Sequence, residues 1–344
     1  MPDTTTAAAR KLRRCTRAGA MITALATAVG LTACVPTLTT EATSTPSAES
    51  CALDVEPGIN EVPLESGGVS RPFQLYVPAD YDGHTPIPIV INGHGSTSDG
   101  AEHLAYSAMM SVADEHVFAI ASPTGAVEFT RGYIWNFPGF PLYGGTELAA
   151  EGTPDDDLMV RDLIEEVQQV VCTDATRIYA TGFSAGGRMA SRLACTNADL
   201  IAAFGAVGGL RAGPEPDPTD CHPARPVPVI AFHGDADPIN RFTGGTGTTT
   251  NFGYGVDTAV EQWASINGCE GEPTIESVTP TVKSAAYPCP EDAEVIFYTV
   301  EGGGHTWPGA GFILPEDPFG PTDMSINASE LMWEFFSRHQ LPAS

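Results

Sequence analysis

Apolar and polar positions beyond about residue 55 follow two alternating rhythms. Short runs dense in Val, Ile, Phe and Ala predict strands at residues 71–77, 86–91, 117–121, 177–181, 203–208, 227–232 and 295–300. Between several of them the apolar residues recur every three or four positions, the spacing of one helix face. The clearest case is 157–171, where Val160, Leu163, Ile164, Val167 and Val171 share a side. A last helix is predicted from Asn327, with Glu330 completing a capping-box pattern; Asn327-Ala-Ser is also a glycosylation sequon, which capping explains better behind a bacterial export signal. Strand alternating with helix predicts an α/β fold, a mostly parallel sheet covered on both faces. Residues 125–154 break the rhythm with Gly, Pro and the aromatics Tyr133, Trp135, Phe137, Phe140 and Tyr143. Loops of this length usually have a function. This one leaves a strand at its carboxyl end and is expected to wall a cleft, although its aromatics equally suit a small satellite core.

One strand changes the picture from architecture to chemistry. The predicted strand 177–181 runs into Gly182-Phe183-Ser184-Ala185-Gly186, and a helix is predicted from 185 to 195. Strand, tight turn, serine and helix form a nucleophile elbow, in which the glycines flanking Ser184 permit contacts that a Cβ would block. The helix N-terminus turns free N–H groups and the positive dipole end toward whatever forms beside the serine. A nucleophilic serine needs a base and an acid to orient it, and behind an elbow the acid precedes the base in the chain. Two histidines lie far enough downstream. His339 closes the last amphipathic helix, where an imidazole suits the negative end; His305, in Gly-Gly-Gly-His-Thr-Trp after a strand, is expected to be the base. The acid is expected on the turn after 227–232. Asp237 is favoured over Asp235, which sits where an Asx turn would use it locally, and His233 reads as structural. A further turn, Asn92-Gly93-His94-Gly95-Ser96-Thr97, follows strand 86–91. It offers a backbone N–H near Ser96 that, with that of Ala185, would cradle an oxyanion, each donor lowering the barrier by about 3 kcal/mol.

Gly-Phe-Ser-Ala-Gly-Gly, His233-Gly-Asp-Ala-Asp237 with its continuation to Gly245, Gly-Gly-Gly-His305-Thr-Trp-Pro-Gly and the terminal Asn327-to-Phe336 run together resemble one family. It is the esterase family of polyhydroxybutyrate depolymerases, feruloyl esterases and acetylxylan esterases, similar to carbohydrate esterase family 1, with actinobacterial lipoprotein members. The resemblance covers about residues 71–339. It implies an α/β-hydrolase fold, carries Ser184, Asp237 and His305 to the catalytic roles, and implies that Trp135 and Trp307 bind substrate. Ser96 departs from the cysteine many relatives have after His-Gly; a backbone donor does not depend on that side chain.

The amino terminus bears on location. Arg10, Lys11, Arg13, Arg14 and Arg17 precede an apolar run, 18–30, too short to span a bilayer comfortably, and then Leu31-Thr-Ala-Cys34. That tetrapeptide resembles a bacterial lipobox. Residues 1–33 are expected to be a lipoprotein signal peptide, Cys34 the acylated first mature residue holding the protein to a membrane, 34–50 a Ser/Thr/Pro tether, and 51–344 one catalytic domain. An ordinary secretory signal is the alternative; both put the protein outside the cytoplasm. Cysteine usage agrees with export. Six remain besides Cys15 and Cys34: Cys51, Cys172, Cys195, Cys221, Cys269 and Cys289, which allow fifteen pairings. The resemblance together with short loops favours Cys195 with Cys221 and Cys269 with Cys289, leaving Cys51 with Cys172. No pair has C-x-x-C spacing, so no metal is expected, and no cofactor. Without residues 1–33 the chain carries 11 basic and 42 acidic residues, a formal charge of −31, which repels nucleic acid.

These observations support hydrolysis of short-acyl, hydroxyalkanoate or feruloyl- and acetyl-polysaccharide esters through an acyl-enzyme. Two other classes remain open. A peptidase on the same fold would use the same three residues but usually carries a propeller domain, for which there is no room. A non-catalytic solute-binding lipoprotein would explain the leader and tether, but not Ser, Asp and His on three strand ends.

Overall fold

The structure is a computed structural model, and it describes residues 55–139, 142, 148–211, 213, 221–245 and 254–342. The expected leader, Cys34, Cys51, Phe140 and Tyr143 lie outside the described residues. In chain order the elements are β1 (Gly58–Val62), the short hairpin β2 (Glu65–Ser66) and β3 (Val69–Ser70), β4 (Phe73–Val77), β5 (Ile87–Gly93), α1 (Gly100–Tyr106), α2 (Met109–His116) and β6 (Ala119–Ser122). A second hairpin, β7 (Val127–Phe129) and β8 (Gly132–Ile134), precedes α3 (Asp156–Val170), β9 (Thr173–Gly182), α4 (Ala185–Thr196) and β10 (Ala203–Val207). Then come β11 (Val229–Gly234), α5 (Val256–Ile266), β12 (Thr274–Ser277), β13 (Val282–Ala286), β14 (Val295–Val300), α6 (Glu316–Phe319) and α7 (Ala328–Phe336).

Ten strands form one sheet in the order β1-β4-β6-β5-β9-β10-β11-β14-β13-β12. The middle six are parallel and the two at each edge antiparallel. Central β5, β10 and β11 are buried at every residue, which is why they read as unbroken apolar runs rather than alternating ones: helices cover both faces. The strand period of two divides their side chains between two cores. Ile89, Ile91, Ala180 and Ala231 face one, with Leu163 of α3, Leu193 of α4 and Trp263 of α5. Val90, Tyr179, Ile230 and Phe232 face the other, with Val112 of α2 and Trp333 and Phe336 of α7. There Tyr179 stacks on Phe336 at 4.8 Å and Phe118 on Trp333 at 4.2 Å.

Local capping sets the helix ends. Asp155 accepts the N–H groups of Asp157 and Leu158, so α3 begins one residue before the predicted start. Asn327 accepts those of Ser329 and Glu330. The reciprocal half of the capping box is not made, because the Glu330 carboxylate instead meets His116 Nε2 at 2.8 Å. His339 lies past α7, with Nε2 3.0 Å from Glu294. Disulfides join Cys195 to Cys221 and Cys269 to Cys289, and Cys172 is also disulfide-bonded. Among the described residues no helix is long and apolar enough to cross a membrane.

His103, on α1, is fully buried with its Nε2 unpartnered among the described residues, and burial pushes its pKa down to about 3. The unfolded chain therefore takes up a proton here from about pH 6.5 downward while the folded chain does not until about pH 3, so stability falls with acidification across that window. Replacing His103→Leu should flatten the dependence of unfolding free energy on pH between 4.5 and 6 by up to about 1.4 kcal/mol per pH unit relative to wild type. Urea titrations at several pH values measure this, and equal slopes would contradict it.

Candidate active site

β9 delivers Ser184 to the N-cap of α4, where its backbone sits at φ 54° and ψ −112°, a conformation costly for any side chain larger than glycine. Its amide is tied to Val207 O of β10 at 2.8 Å, and that of Phe183 to Gly93 O of β5 at 3.1 Å. Both flanking glycines are required by close approach. A Cβ on Gly182 would lie 2.6 Å from Gly93 O, and one on Gly186 only 2.0 Å from it. The elbow expected from Gly-x-Ser-x-Gly is thus wedged between neighbouring strand ends.

His305 follows β14 on a loop held by its own N–H to Phe319 O at 2.6 Å and by Gly304 N–H to Pro321 O at 2.8 Å. Its Nδ1 donates to Asp237 Oδ2 at 2.7 Å, and both side chains are buried. The carboxylate acceptor assigns the proton to Nδ1 and leaves Nε2 for chemistry. Burial alone would push the Asp237 pKa up; the charge of His305 and hydrogen bonds from His233 and His305 outweigh it and hold the carboxyl well below the usual range. His233 stands behind Asp237: its Nε2 lies 2.7 Å from Asn240 O and 3.3 Å from Asp237 Oδ2.

The turn corrects one expectation. Asp237, not Asp235, makes the local Asx-type bonds, its Oδ1 accepting the N–H groups of Ile239 and Asn240. Asp235 reaches across to Gly302 N–H at 2.6 Å and ties the acid's turn to the loop that leads to His305.

Ser184, His305, Ser96 and Ala185 line one cavity of about 260 Å³. Ser184 makes no side-chain hydrogen bond among the described residues, so its bond to His305 is not formed in this structure; such contacts commonly tighten only with substrate bound. The N–H groups of Ser96 and Ala185 donate to no acceptor among the described residues, as a helix N1 position and an open turn permit. Gly95 places this turn beside the serine: a Cβ on it would stand 3.6 Å from the Ser184 Cβ. His94 fixes the turn from behind. Its Nε2 accepts Gly125 N–H at 2.9 Å, its Nδ1 donates to Gly95 O at 2.7 Å, and burial lowers its pKa to about 4, which keeps it neutral for both bonds.

The 125–154 segment does wall the cavity, through Ile134, Trp135 and Phe137. Trp135 stacks on His94 at 4.5 Å and donates Nε1–H to His94 O. Trp307 does not line the cavity. It is fully buried in the second core, its Nε1–H held by Ser329 Oγ and its ring edge-on to His103. The substrate-binding role expected for it is therefore withdrawn; two residues past the histidine, the chain has already turned back into the core. Arg188, one turn into α4, lines the cavity too and was not anticipated; its helix position one turn from Ser184 was the available signal. So was Asp156, which holds the wall: its carboxylate takes Arg71 Nη2 at 2.5 Å and the N–H groups of Asn136 and Ala126 at 2.5 and 3.2 Å. Away from the cavity, ligand atoms of Glu115, His116 and Glu330 lie within 4.8 Å of one another on α2 and α7, a partly exposed group already joined by the His116–Glu330 bond.

An elbow serine at the carboxyl edge of a parallel sheet, with an Asp–His pair on two further strand ends, defines an α/β-hydrolase site. The sequence matches the phospholipase/carboxylesterase family (Abhydrolase_2) over residues 77–250. The chain belongs to this family, and it is a carboxylic ester hydrolase. It is 31% identical over 235 residues to feruloyl esterase B of Piromyces equi, which covers 66% of this chain and 41% of that longer enzyme. It is 27% identical over 223 residues to feruloyl esterase D of Neurospora crassa, covering 60% and 68%. Acetyl xylan esterase from Aspergillus awamori shares the fold with a TM-score of 0.50 at 16% identity, covering 69% of this chain and 89% of that one.

The wall's anchor makes a prediction. Asp156→Asn would leave the Arg71 guanidinium buried without its countercharge, and chemical denaturation should show a loss of about 3 kcal/mol. A loss under about 0.5 kcal/mol would mean that the pair holds nothing in place.

Proposed function

We propose that the protein is an exported serine esterase that works through Ser184, His305 and Asp237. The observation that carries this reading is the convergence of an elbow serine and a histidine already bonded to a buried, ionised aspartate on one cavity. His305 Nε2 takes the Ser184 Oγ proton as Oγ attacks the ester carbonyl. The N–H groups of Ala185 and Ser96 hold the resulting oxyanion, and Asp237 stabilises the imidazolium and its tautomer. Collapse expels the alcohol, which takes the proton from His305 and leaves an acyl-Ser184 ester. Water, deprotonated by His305, attacks that ester; the carboxylic acid departs and Ser184 Oγ regains its proton.

Small acyl groups and flat aromatic ones suit a cavity of this volume walled by Ile134, Trp135, Phe137 and Phe319. Feruloyl and acetyl esters of polysaccharides are accordingly the substrates proposed, consistent with the names of the relatives. Hydroxyalkanoate oligomers fit the same chemistry, and a short-chain ester screen separates them. Export is supported by the basic, apolar leader and the disulfides, with Cys34 proposed as the acylated anchor; mass spectrometry of the membrane-extracted protein would show diacylglyceryl-Cys34 at its amino terminus, and a free terminus elsewhere would contradict the anchor.

Ser184→Ala should lower kcat for a p-nitrophenyl ester by about 10⁴-fold or more. Asp237→Asn should lower it by about 10⁴-fold, and Asp235→Asn by less than about tenfold, since among the described residues its carboxylate bonds the Gly302 amide and not His305. Equal rates for wild type and Ser184→Ala would overturn the reading; equal losses in the two aspartate variants would overturn the assignment of the acid.

A further inference from the structure

A second hollow, of about 440 Å³, lies against the same hairpin that walls the catalytic cavity. Successive residues of β8 serve the two spaces: Tyr133 lines this one and Ile134 the other. The Tyr133 main chain is bonded to Thr97 and Ser98, next to the proposed oxyanion turn, so the two spaces share one strand as their partition.

The polar groups here are varied and incompletely used. Arg71 lines the hollow with its side chain only 9% exposed. Its Nη2 serves Thr124 O and Asp156, while its Nη1 is buried with no partner among the described residues. Gln74 of β4 contributes a side-chain amide that makes no hydrogen bond among the described residues. Asp99 spends one carboxylate oxygen on capping α1 and keeps the other; Glu61 and Ser70 complete the rim. The Gln74 amide and the second Asp99 oxygen are left for a ligand in this hollow. The Arg71 charge is already matched by Asp156, which leaves Glu61 and Asp99 as uncompensated acids that disfavour an anion. Donors and acceptors together, beside one aromatic ring, suit a neutral polyhydroxylated ring.

We infer that this hollow binds a neutral sugar unit of the carbohydrate chain that carries the ester. The inference rests on the esterase reading for the identity of that chain, but on the hollow alone for its chemistry. The sugar seats its apolar face on Tyr133, its hydroxyls donate to Glu61 and Asp99, and its ring or hydroxyl oxygens accept from the Gln74 amide. Binding here holds the polymer beside the catalytic cavity and raises the local concentration of its ester branches.

The test uses full-length Ser184→Ala protein, titrated calorimetrically with xylotetraose and, as the anionic comparison, tetragalacturonate. Xylotetraose should bind, Tyr133→Ala and Gln74→Ala should each weaken it about tenfold, and tetragalacturonate should bind at least about tenfold more weakly. Gln74→Ala removes no core packing and answers for the site if Tyr133→Ala fails to fold. No xylotetraose binding, unchanged binding in both variants, or preference for the anion would overturn the inference. Wild-type hydrolysis of p-nitrophenyl acetate in the same buffer keeps the two readings apart. Hydrolysis without sugar binding removes the hollow and keeps the esterase; sugar binding without hydrolysis does the reverse.

Discussion

Everything at this site depends on how closely three backbone segments approach one another. Gly93 at the end of β5, Gly182 at the end of β9 and Gly186 in the first turn of α4 meet where no Cβ fits, with 2.0 Å between Gly93 O and the place a Gly186 Cβ would take. That approach holds Ser184 at positive φ, a strain of order 1 to 3 kcal/mol that only an over-determined surrounding can sustain. The surrounding is the parallel sheet, whose central strands are buried throughout and whose two cores pin them from both sides. Loosening the sheet would let the elbow relax and move the hydroxyl away from His305.

Two buried aspartates divide the remaining work. Asp237 spends one oxygen on its own turn and the other on His305, so one carboxylate shapes the loop and orients the imidazole. Asp156, with Arg71, binds the backbone of Ala126 and Asn136 and pins the wall that presents Trp135. Burial raises the pKa of Asp156 to about 6 against the pull of Arg71, whereas at Asp237 the electrostatic pull of His305 and the hydrogen bonds from His305 and His233 outweigh burial and hold the carboxyl well below the usual range.

Much of this was legible in the sequence because burial on two faces leaves a continuous apolar signature. The seven strands and the α3 and α4 helices were readable on that ground, and Ser184, His305 and Asp237 stood out because glycine punctuates the turns that carry them. The edges were not legible. β12 is exposed at all four residues and joins the sheet through its backbone ladder, so Thr274–Ser277 carries no apolar pattern. The β7–β8 hairpin is similarly short and hides within a Gly- and Pro-rich stretch. Trp307 was placed in the cleft by the family resemblance, which fixes its position in the chain but not its direction; the chain turns at Pro308 and Gly309 and the indole packs inward on Ser329. The division of roles between Asp235 and Asp237 turns on the bond from Gly302 to Asp235, 67 residues apart in the chain, which only the folded chain brings near.

The central claim is that Ser184 is an activated nucleophile in a pre-built anion cradle. Incubation of the full-length protein with a p-nitrophenyl alkylphosphonate, followed by intact and peptide mass spectrometry, tests it without assuming any natural substrate. The account predicts one phosphonyl adduct per chain, on the peptide holding Ser184, and its absence after His305→Ala. An adduct at another residue, or none while other serine hydrolases in the same vessel are labelled, would contradict it.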